Sequence, residues 1–470
     1  MAYNPCAMTS PVLALAGALA LLAASPPTIP YEAFRLPNGL HVILSEDHTA
    51  PIVGVDMSYD VGSKDERPGR TGFAHLFEHL MFQGTSHLPK GEADRLIEAA
   101  GGSSNGSTSP DLTEYWEQVP SNALEQMLFV ESERMGFLLP TLDQEKLDNQ
   151  REVVKNERRQ NYEMQPYGLA WKALLENLWD ADFPYHWMTI GSHEDLSAAT
   201  LEDVRDFFRR FYGPNGASLA IAGDIDARRA RALVERWFGD IPPGPPRERR
   251  HPEPRPLAAE KRVTLEDDVQ LPRLYVAWPS PKEYTPDDAP LDVAGGVLGS
   301  GKSARLVKRL VMEERIAQSV MAGQQAQELG GMFVVVATPK PGQTLERLVE
   351  EIDEEIARLA REAPSAEEVE RARNTIESAM VFGLEPVGGF GGRAATLNAY
   401  YWETGDPGFF PKDLARTLAV TPEDVRAATA RWLAGRPRVV LSVVPGKKSA
   451  VAGPSAPAKA PEAGGHGSRP

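Results

Sequence analysis

Residues 71–87 read TGFAHLFEHLMFQGTSH and place two histidines and a glutamate within five positions, His75-x-x-Glu78-His79. Side chains three and four residues apart share one face of an α-helix, so His75 and His79 would point the same way, as two zinc ligands must. Glu78 falls within the same arc, where a general base can take a proton from a zinc-bound water. The apolar residues around these three predict a buried helix, and buried polar groups need partners, which a metal supplies. The alternative is a set of histidines that are each satisfied by ordinary hydrogen bonds.

A catalytic zinc ion needs a third protein ligand, and the candidates lie in residues 147–160, LDNQREVVKNERRQ. If this segment is a helix with about 100° per residue, one stripe of it contains Leu147, Gln150, Val154 and Glu157. The inward carboxylate is therefore Glu157, and Glu152 on the opposite side is predicted to be a surface charge. Three other histidines are predicted to be structural or exposed to solvent: His87, His186 and His193.

Length, charge and cysteine count limit the classes of protein to which this chain can belong. The chain has 470 residues with a formal net charge of −16, which argues against a nucleic-acid partner because no basic face is available for phosphates. The length predicts two or three domains. Cys6 is the single cysteine, so no intramolecular disulfide can form.

The N-terminal residues predict export. Residues 11–24, PVLALAGALALLAA, form an apolar run that is too short for a membrane span and suits a signal peptide covering residues 1–25, although no Lys or Arg precedes the run. A buried helix or a wrongly assigned start is the alternative. If this run is a signal peptide, the protein is expected to be periplasmic or otherwise exported, and the mature chain is expected to have no integral membrane span.

The rest of the chain divides into two similar halves, residues 28–240 and 257–446. Between them lies a proline-rich linker (241–256), and after them a tail rich in Ala and Pro (449–470) that is predicted to be disordered. TLEDVRDFFRRFY (200–212) matches TPEDVRAATARWL (421–433), and an apolar strand follows each, which indicates an internal duplication. Strands and amphipathic helices mix within each half, so the predicted fold class is α+β, a sheet with helices packed on it.

These residues resemble the pitrilysin family of zinc metallopeptidases, in particular the bacterial branch that is similar to mitochondrial processing peptidase. H-x-x-E-H is the inverted form of the usual zinc-protease motif, and REVVKNE places Glu157 78 positions after His79. The resemblance implies two homologous α+β domains with largely antiparallel sheets. It also implies one Zn²⁺ per chain on His75, His79 and Glu157, with Glu78 as the general base. The implied reaction is hydrolysis of peptides or unfolded polypeptides in a closed chamber.

The resemblance also implies how a substrate is held. A peptide would add as a strand to a sheet edge near the zinc ion. GGSSNGSTS (101–109) matches that edge, which makes Asn105 and Ser107 the expected substrate contacts. Considered alone, this segment would be read as a Gly/Ser loop.

Two departures from the family pattern bear on activity. Gln150 stands where relatives often have a glutamate, and its amide is expected to orient the neighbouring metal ligands without binding the metal itself. Aligning residues 303–320 with a helix of the second domain puts Val311 and Gln318 where complete sites have Arg and Tyr. The chain is therefore expected to be the catalytic subunit of a heterodimer whose homologous, zinc-less partner supplies that pair, with a homodimer as the alternative.

Two other functions are weighed against the peptidase. GVLGSGKS (296–303) fits a P-loop pattern, but a proline turn and the start of a helix precede it instead of a buried strand, so no nucleotide site is expected. A non-catalytic assembly or scaffold subunit of the same fold is the other alternative. It has no physical need for the four residues of the zinc site.

Overall fold

The computed structural model describes residues 27–246 and 252–448. The predicted signal peptide and the predicted tail lie outside the described residues, and so does the middle of the predicted linker. Within the described ranges, no helix is both long and apolar enough to cross a membrane.

The first half of the chain forms a six-stranded sheet in the order β1-β2-β6-β3-β5-β4. Its strands are β1 (Glu32–Arg35), β2 (His41–Glu46), β3 (Ile52–Tyr59), β4 (Ser103–Thr108), β5 (Thr113–Pro120) and β6 (Ala217–Gly223). β2 and β6 run parallel, and the other pairs are antiparallel. β6 is buried along its whole length, as its apolar run predicts for a central strand.

The second half forms a five-stranded sheet in the order β7-β11-β8-β10-β9. Its strands are β7 (Lys261–Asp267), β8 (Arg273–Ser280), β9 (Ala317–Ala326), β10 (Gly331–Pro339) and β11 (Val439–Pro445). β7 and β11 run parallel, and the remaining pairs are antiparallel. The order and directions repeat those of β2-β6-β3-β5-β4, so the two halves share one topology.

Helices surround both sheets. Those of the first half are α1 (Phe73–Leu80), α2 (Glu92–Ala99), α3 (Leu124–Phe137), α4 (Gln144–Arg158), α5 (Ala170–Leu178), α6 (His193–Ala198), α7 (Leu201–Phe211) and α8 (Ala227–Phe238). Those of the second half are α9 (Asp288–Gly299), α10 (Leu345–Arg361), α11 (Ala366–Gly383), α12 (Arg393–Thr404), α13 (Phe410–Leu418) and α14 (Pro422–Trp432). The predicted α+β class with two largely antiparallel sheets is confirmed.

The repeated sequence segments occupy equivalent places. α7 and α14 each begin with a capping box, Thr200 with Asp203 and Thr421 with Asp424, in which side chain and backbone N–H groups bond reciprocally. The strands that follow them, β6 and β11, hold the same position in their sheets. The repeat in the sequence therefore corresponds to a repeat in the fold.

Each half also supplies a helix to the sheet of the other half. α12, from the second half, covers one face of the first sheet, where Leu397 packs with Ile43 and Ala220. α5, from the first half, covers one face of the second sheet, where Leu174 packs with Leu441. Both sheets thus have helices on both faces, and the halves interlock instead of meeting only at a linker.

The prediction that residues 303–320 form one helix is wrong. The helical segment there is a π-helical stretch, Val307–Glu313, and β9 begins at Ala317. Val311 lies in the helical segment and packs against the core of the second half, whereas Gln318 is exposed on β9. The two positions therefore do not share a helix. Gly296 lies inside α9, so a helix precedes the P-loop-like segment.

Candidate metal centre

α1 carries the two histidines, and its start is fixed by buried contacts. Gly72, just before the helix, has φ of +85°, a left-handed conformation that favours glycine. The buried carboxylate of Glu66 accepts the N–H groups of Gly72 and Ala74, both at 2.9 Å, and so satisfies free donors at the helix N-terminus. Five residues of α1 are buried, and His75 and His79 lie together on the remaining, partly open face.

α4 brings the third group. Its N-cap is Asp143, whose side chain accepts the N–H of Lys146. The stripe predicted to face inward is buried at Leu147, Gln150 and Val154. One turn further on, Glu157 reaches the histidines of α1. A π-helical turn, Arg159–Glu163, follows at once, and such turns are frequent at functional sites.

The ligand atoms converge closely. Glu157 Oε2 lies 3.2 Å from His79 Nε2 and 3.7 Å from His75 Nε2. Candidate ligand atoms of His75, Glu78 and His79 all lie within 4.8 Å of one another. Two imidazole nitrogens and a carboxylate oxygen are a common donor set for catalytic zinc. The structure therefore brings together all four residues that the sequence selects.

The electrostatics of this cluster fit a metal ion. Burial, followed by the neighbouring His79, lowers the pKa of His75 to about 4, so its ring is neutral at physiological pH. Neutral imidazole is the form that binds metals. The hydrogen bond with His79 lowers the pKa of Glu157 and keeps that carboxylate ionised. The residues present therefore fit zinc.

Glu78 has different surroundings from Glu157. Its Oε2 accepts a hydrogen bond of 2.7 Å from the hydroxyl of Thr108, the last residue of β4. Burial raises the pKa of Glu78, and the bond from Thr108 opposes that shift. A carboxylate with a raised pKa accepts a proton more readily, which suits Glu78 to exchanging protons better than to remaining a fixed ligand.

The hydrogen bonds of the other predicted site residues go to groups outside this cluster, so Gln150 does not orient the ligands by a direct bond as expected. Gln150 is buried, and its amide donates to Asn149 Oδ1 at 2.9 Å. Asn105 is exposed on β4, and the hydroxyl of Ser107 donates to Glu114 Oε1 at 3.1 Å. Among the described residues, β4 pairs with β5 only, so its other edge is open.

The residues that the sequence analysis rejected as metal ligands have other partners in the structure. Glu152 is exposed and pairs with Lys155. His87 contacts Glu133, His186 contacts the carbonyl of Trp179, and His193 contacts Glu163.

Sequence reasoning missed two side chains at the site. Thr108 bonds to Glu78, and the amide of Asn161 donates to Glu157 Oε1 at 3.4 Å. Asn161 follows Glu157 by four residues, so helical spacing could have indicated it. Thr108 is 30 positions from Glu78, and nothing local links the two.

Comparison with known proteins identifies the family. Residues 41–184 match the family model described as insulinase, peptidase family M16, and residues 198–376 match the model described as peptidase M16 inactive domain. The chain belongs to the M16 peptidase family. The first match contains the His/Glu cluster, and the second falls mainly on the half without it.

Individual relatives agree with this assignment. The Helicobacter pylori protein named zinc protease PqqE is 28% identical over 363 residues, which are 76% of this chain and 80% of that protein. The probable mitochondrial-processing peptidase subunit beta of Arabidopsis thaliana is 26% identical, over 74% of this chain and 67% of that protein.

Solved structures of M16-like proteins share the architecture. The crystal structure of a protease from Helicobacter pylori superposes with a TM-score of 0.82 at 25% identity, covering 89% of this chain and all of that one. A Pseudomonas fluorescens structure titled peptidase M16 inactive domain gives a TM-score of 0.77 at 18% identity and covers 89% of this chain and 98% of that one. At that identity the second likeness shows the fold alone.

Proposed function

We propose that this M16 protein is a zinc-dependent endopeptidase that hydrolyses peptides or unfolded polypeptides. The observation that carries the proposal is the convergence of His75, His79 and Glu157 on one point, with Glu78 beside them and held separately by Thr108. An M16 member that only served as a scaffold would have no use for this arrangement.

The two carboxylates take different roles in the proposed mechanism. His75, His79 and Glu157 would hold one zinc ion per chain, and bound zinc supplies Lewis-acid chemistry that polarises a carbonyl and acidifies water. Glu78 takes the proton from the attacking water and returns it to the amine that leaves. Its raised pKa supports the first of these steps, because the conjugate base of a weaker acid accepts a proton more readily.

The open edge of β4 is the proposed substrate site. A peptide that adds to this edge would bond through its main chain, so that many sequences can bind. Asn105 and Ser107 lie on the face of β4 opposite Thr108, since side chains alternate along a strand. They would contact every second side chain of the peptide.

A homologous, zinc-less subunit is the proposed partner, with a second copy of this chain as the alternative. The sequence alignment places Val311 and Gln318 where complete sites have Arg and Tyr, although the two residues do not share a helix. Neither side chain can supply a guanidinium or a phenol to the substrate, and a missing oxyanion donor can cost ~3–4 kcal/mol of transition-state stabilisation. The Arabidopsis relative is named a subunit beta, which also supports the proposal that this chain acts as one subunit of a larger enzyme.

Hydrolysis of a quenched fluorescent peptide tests the proposal. The zinc-loaded chain is assayed alone and after mixing with homologous subunits that co-purify with it. Cleavage that a chelator abolishes and zinc restores is the expected result, with a large rise in rate on adding the partner. Full cleavage by the monomeric chain would contradict the need for a partner, and cleavage that survives complete metal removal would contradict the peptidase mechanism.

Export to the periplasm is proposed from the apolar run at residues 11–24 alone. Mass spectrometry of the protein recovered from the periplasmic fraction is expected to show a chain that begins close to residue 26. Recovery of the intact N-terminus from the cytoplasm would contradict this proposal.

A further inference from the structure

The strand proposed to bind substrate is also the strand that holds the proposed base. Thr108 ends β4, and its hydroxyl lies 2.7 Å from Glu78 Oε2. Both side chains are partly buried, which shields this bond from competing water. One hydrogen bond therefore joins the open edge of the first sheet to α1.

The space beside Gly106 shows how closely the backbone of β4 lies against Glu78. Gly106 is two residues before Thr108 and faces the same side of the sheet. A Cβ atom at Gly106 would lie 3.2 Å from Glu78 Cγ and 3.2 Å from Tyr115 Cδ1, tighter than ordinary van der Waals contact. The backbone of β4 thus supports the stem of Glu78, while Thr108 holds one of its oxygens.

We propose that Thr108 is a positioning residue that couples occupancy of the β4 edge to the orientation of the Glu78 carboxylate. The inference rests on the proposed peptidase function. By occupying Oε2, the hydroxyl of Thr108 leaves Oε1 to exchange the proton. Thr108 touches neither the substrate's reacting atoms nor the metal ligands in this role.

The coupling follows from the place of Thr108 on an open edge. A strand that is paired on one side only is held less firmly than a central strand. Main-chain pairing with a substrate fixes the backbone of β4, and with it the hydroxyl that orients Glu78. Binding energy from parts of a peptide remote from the cleaved bond is thereby used to orient the base, which raises kcat more than it lowers KM.

Thr108→Val tests the inference because it removes the hydroxyl and keeps the shape of the side chain. Removing a group that orients a metal-site residue typically costs on the order of tenfold to a hundredfold in activity. We expect a loss of that size in kcat for a peptide long enough to span β4, with KM and zinc content little changed. Thr108→Ser restores the hydroxyl and should recover most of the rate.

Peptide length supplies a second comparison. The unaltered protein should show a higher kcat for the long peptide than for one too short to pair along β4, and Thr108→Val should lose that difference. Thr375→Val is the matched control, since Thr375 is exposed on α11 and its hydroxyl donates to the carbonyl of Arg371. The same substitution there should leave kcat and zinc content unchanged.

A crystal structure of Thr108→Val provides a readout that does not depend on activity. The expected result is a Glu78 carboxylate in more than one orientation, with His75, His79 and Glu157 in place. A single, unchanged orientation of Glu78, an unchanged kcat, loss of zinc together with activity, or failure of Thr108→Ser to recover the rate would each overturn the inference. Absence of cleavage by the unaltered, zinc-loaded protein with its partner would instead contradict the proposed function.

Discussion

Glu78 and Glu157 are the same kind of side chain, and their neighbours separate their roles. Glu157 lies against two histidine nitrogens, which lower its pKa and keep it charged. Glu78 is more deeply buried and accepts a hydroxyl bond, and burial raises its pKa. A pair of carboxylates whose pKa values are pushed apart is a frequent sign of distinct ligand and acid–base roles.

Glu78→Gln tests this division of roles. Glutamine keeps the size of the side chain and can accept the bond from Thr108, but it cannot take a proton. We expect hydrolysis to fall by roughly 10²–10⁴-fold, with zinc content unchanged.

Glu152→Gln is the control for Glu78→Gln, since Glu152 is an exposed glutamate on α4 that pairs with Lys155. Its activity should equal that of the unaltered protein. Retention of full activity by Glu78→Gln would rule out Glu78 as the base.

Residues of the site differ in how well the sequence predicts them. Helical spacing alone put His75, Glu78 and His79 on one face, and the buried stripe of α4 selected Glu157. The link from Thr108 to Glu78 depends on how β4 lies against α1. No local pattern encodes that relation, so it required the three-dimensional structure.

At the scale of elements, the contact between α12 and β3 joins the two halves of the chain. Asn398 on α12 donates to the backbone carbonyl of Asp56 at 2.9 Å and to its Oδ1 at 2.6 Å. Ser58 also donates to this carboxyl group at 2.7 Å. Burial, followed by the charge of Glu114, raises the pKa of Asp56 from 3.8 to about 8.

This pKa shift predicts a pH dependence of stability. The pKa is higher in the folded than in the unfolded chain, so the folded state binds the extra proton between about 4 and 8. Stability contributed by protonated Asp56 is therefore complete below that window and is lost as the pH rises through it. Asp56→Asn keeps an uncharged group there and should gain stability relative to the unaltered protein as the pH rises.

Urea denaturation across the same pH window measures the effect. The difference in unfolding free energy between Asp56→Asn and the unaltered protein should grow with pH and then level off near pH 8. A difference that stays constant with pH would show that Asp56 does not titrate in this way.

At the scale of the whole molecule, the sequence predicted the duplication but not the exchange of helices. The repeated capping signals and apolar strands are local patterns, and they marked equivalent elements of the two sheets. The sequence of an amphipathic helix shows which face is apolar but does not indicate which sheet that face will cover. The positions of α5 and α12 on the sheet of the other half are therefore visible only in the structure.

Because α5 and α12 each cover the sheet of the other half, we expect that neither half folds on its own. Residues 27–246 produced alone would expose the face of the first sheet that α12 covers, including Ile43 and Ala220. A large exposed apolar face promotes aggregation, so we expect insoluble protein. Co-expression with residues 252–448 as a separate chain should yield a soluble complex, seen by size-exclusion chromatography. A soluble first half with a cooperative melting transition of its own would contradict the interlocked architecture.

The most direct test of the central claim is the zinc content of the purified protein by elemental analysis. The protein is saturated with zinc and passed through gel filtration beside His79→Ala, with Glu152→Gln as the control. The account predicts one zinc per chain in the unaltered protein and in Glu152→Gln, and a large loss in His79→Ala. An unaltered protein without zinc, or equal zinc in His79→Ala, would contradict a metal centre on His75, His79 and Glu157.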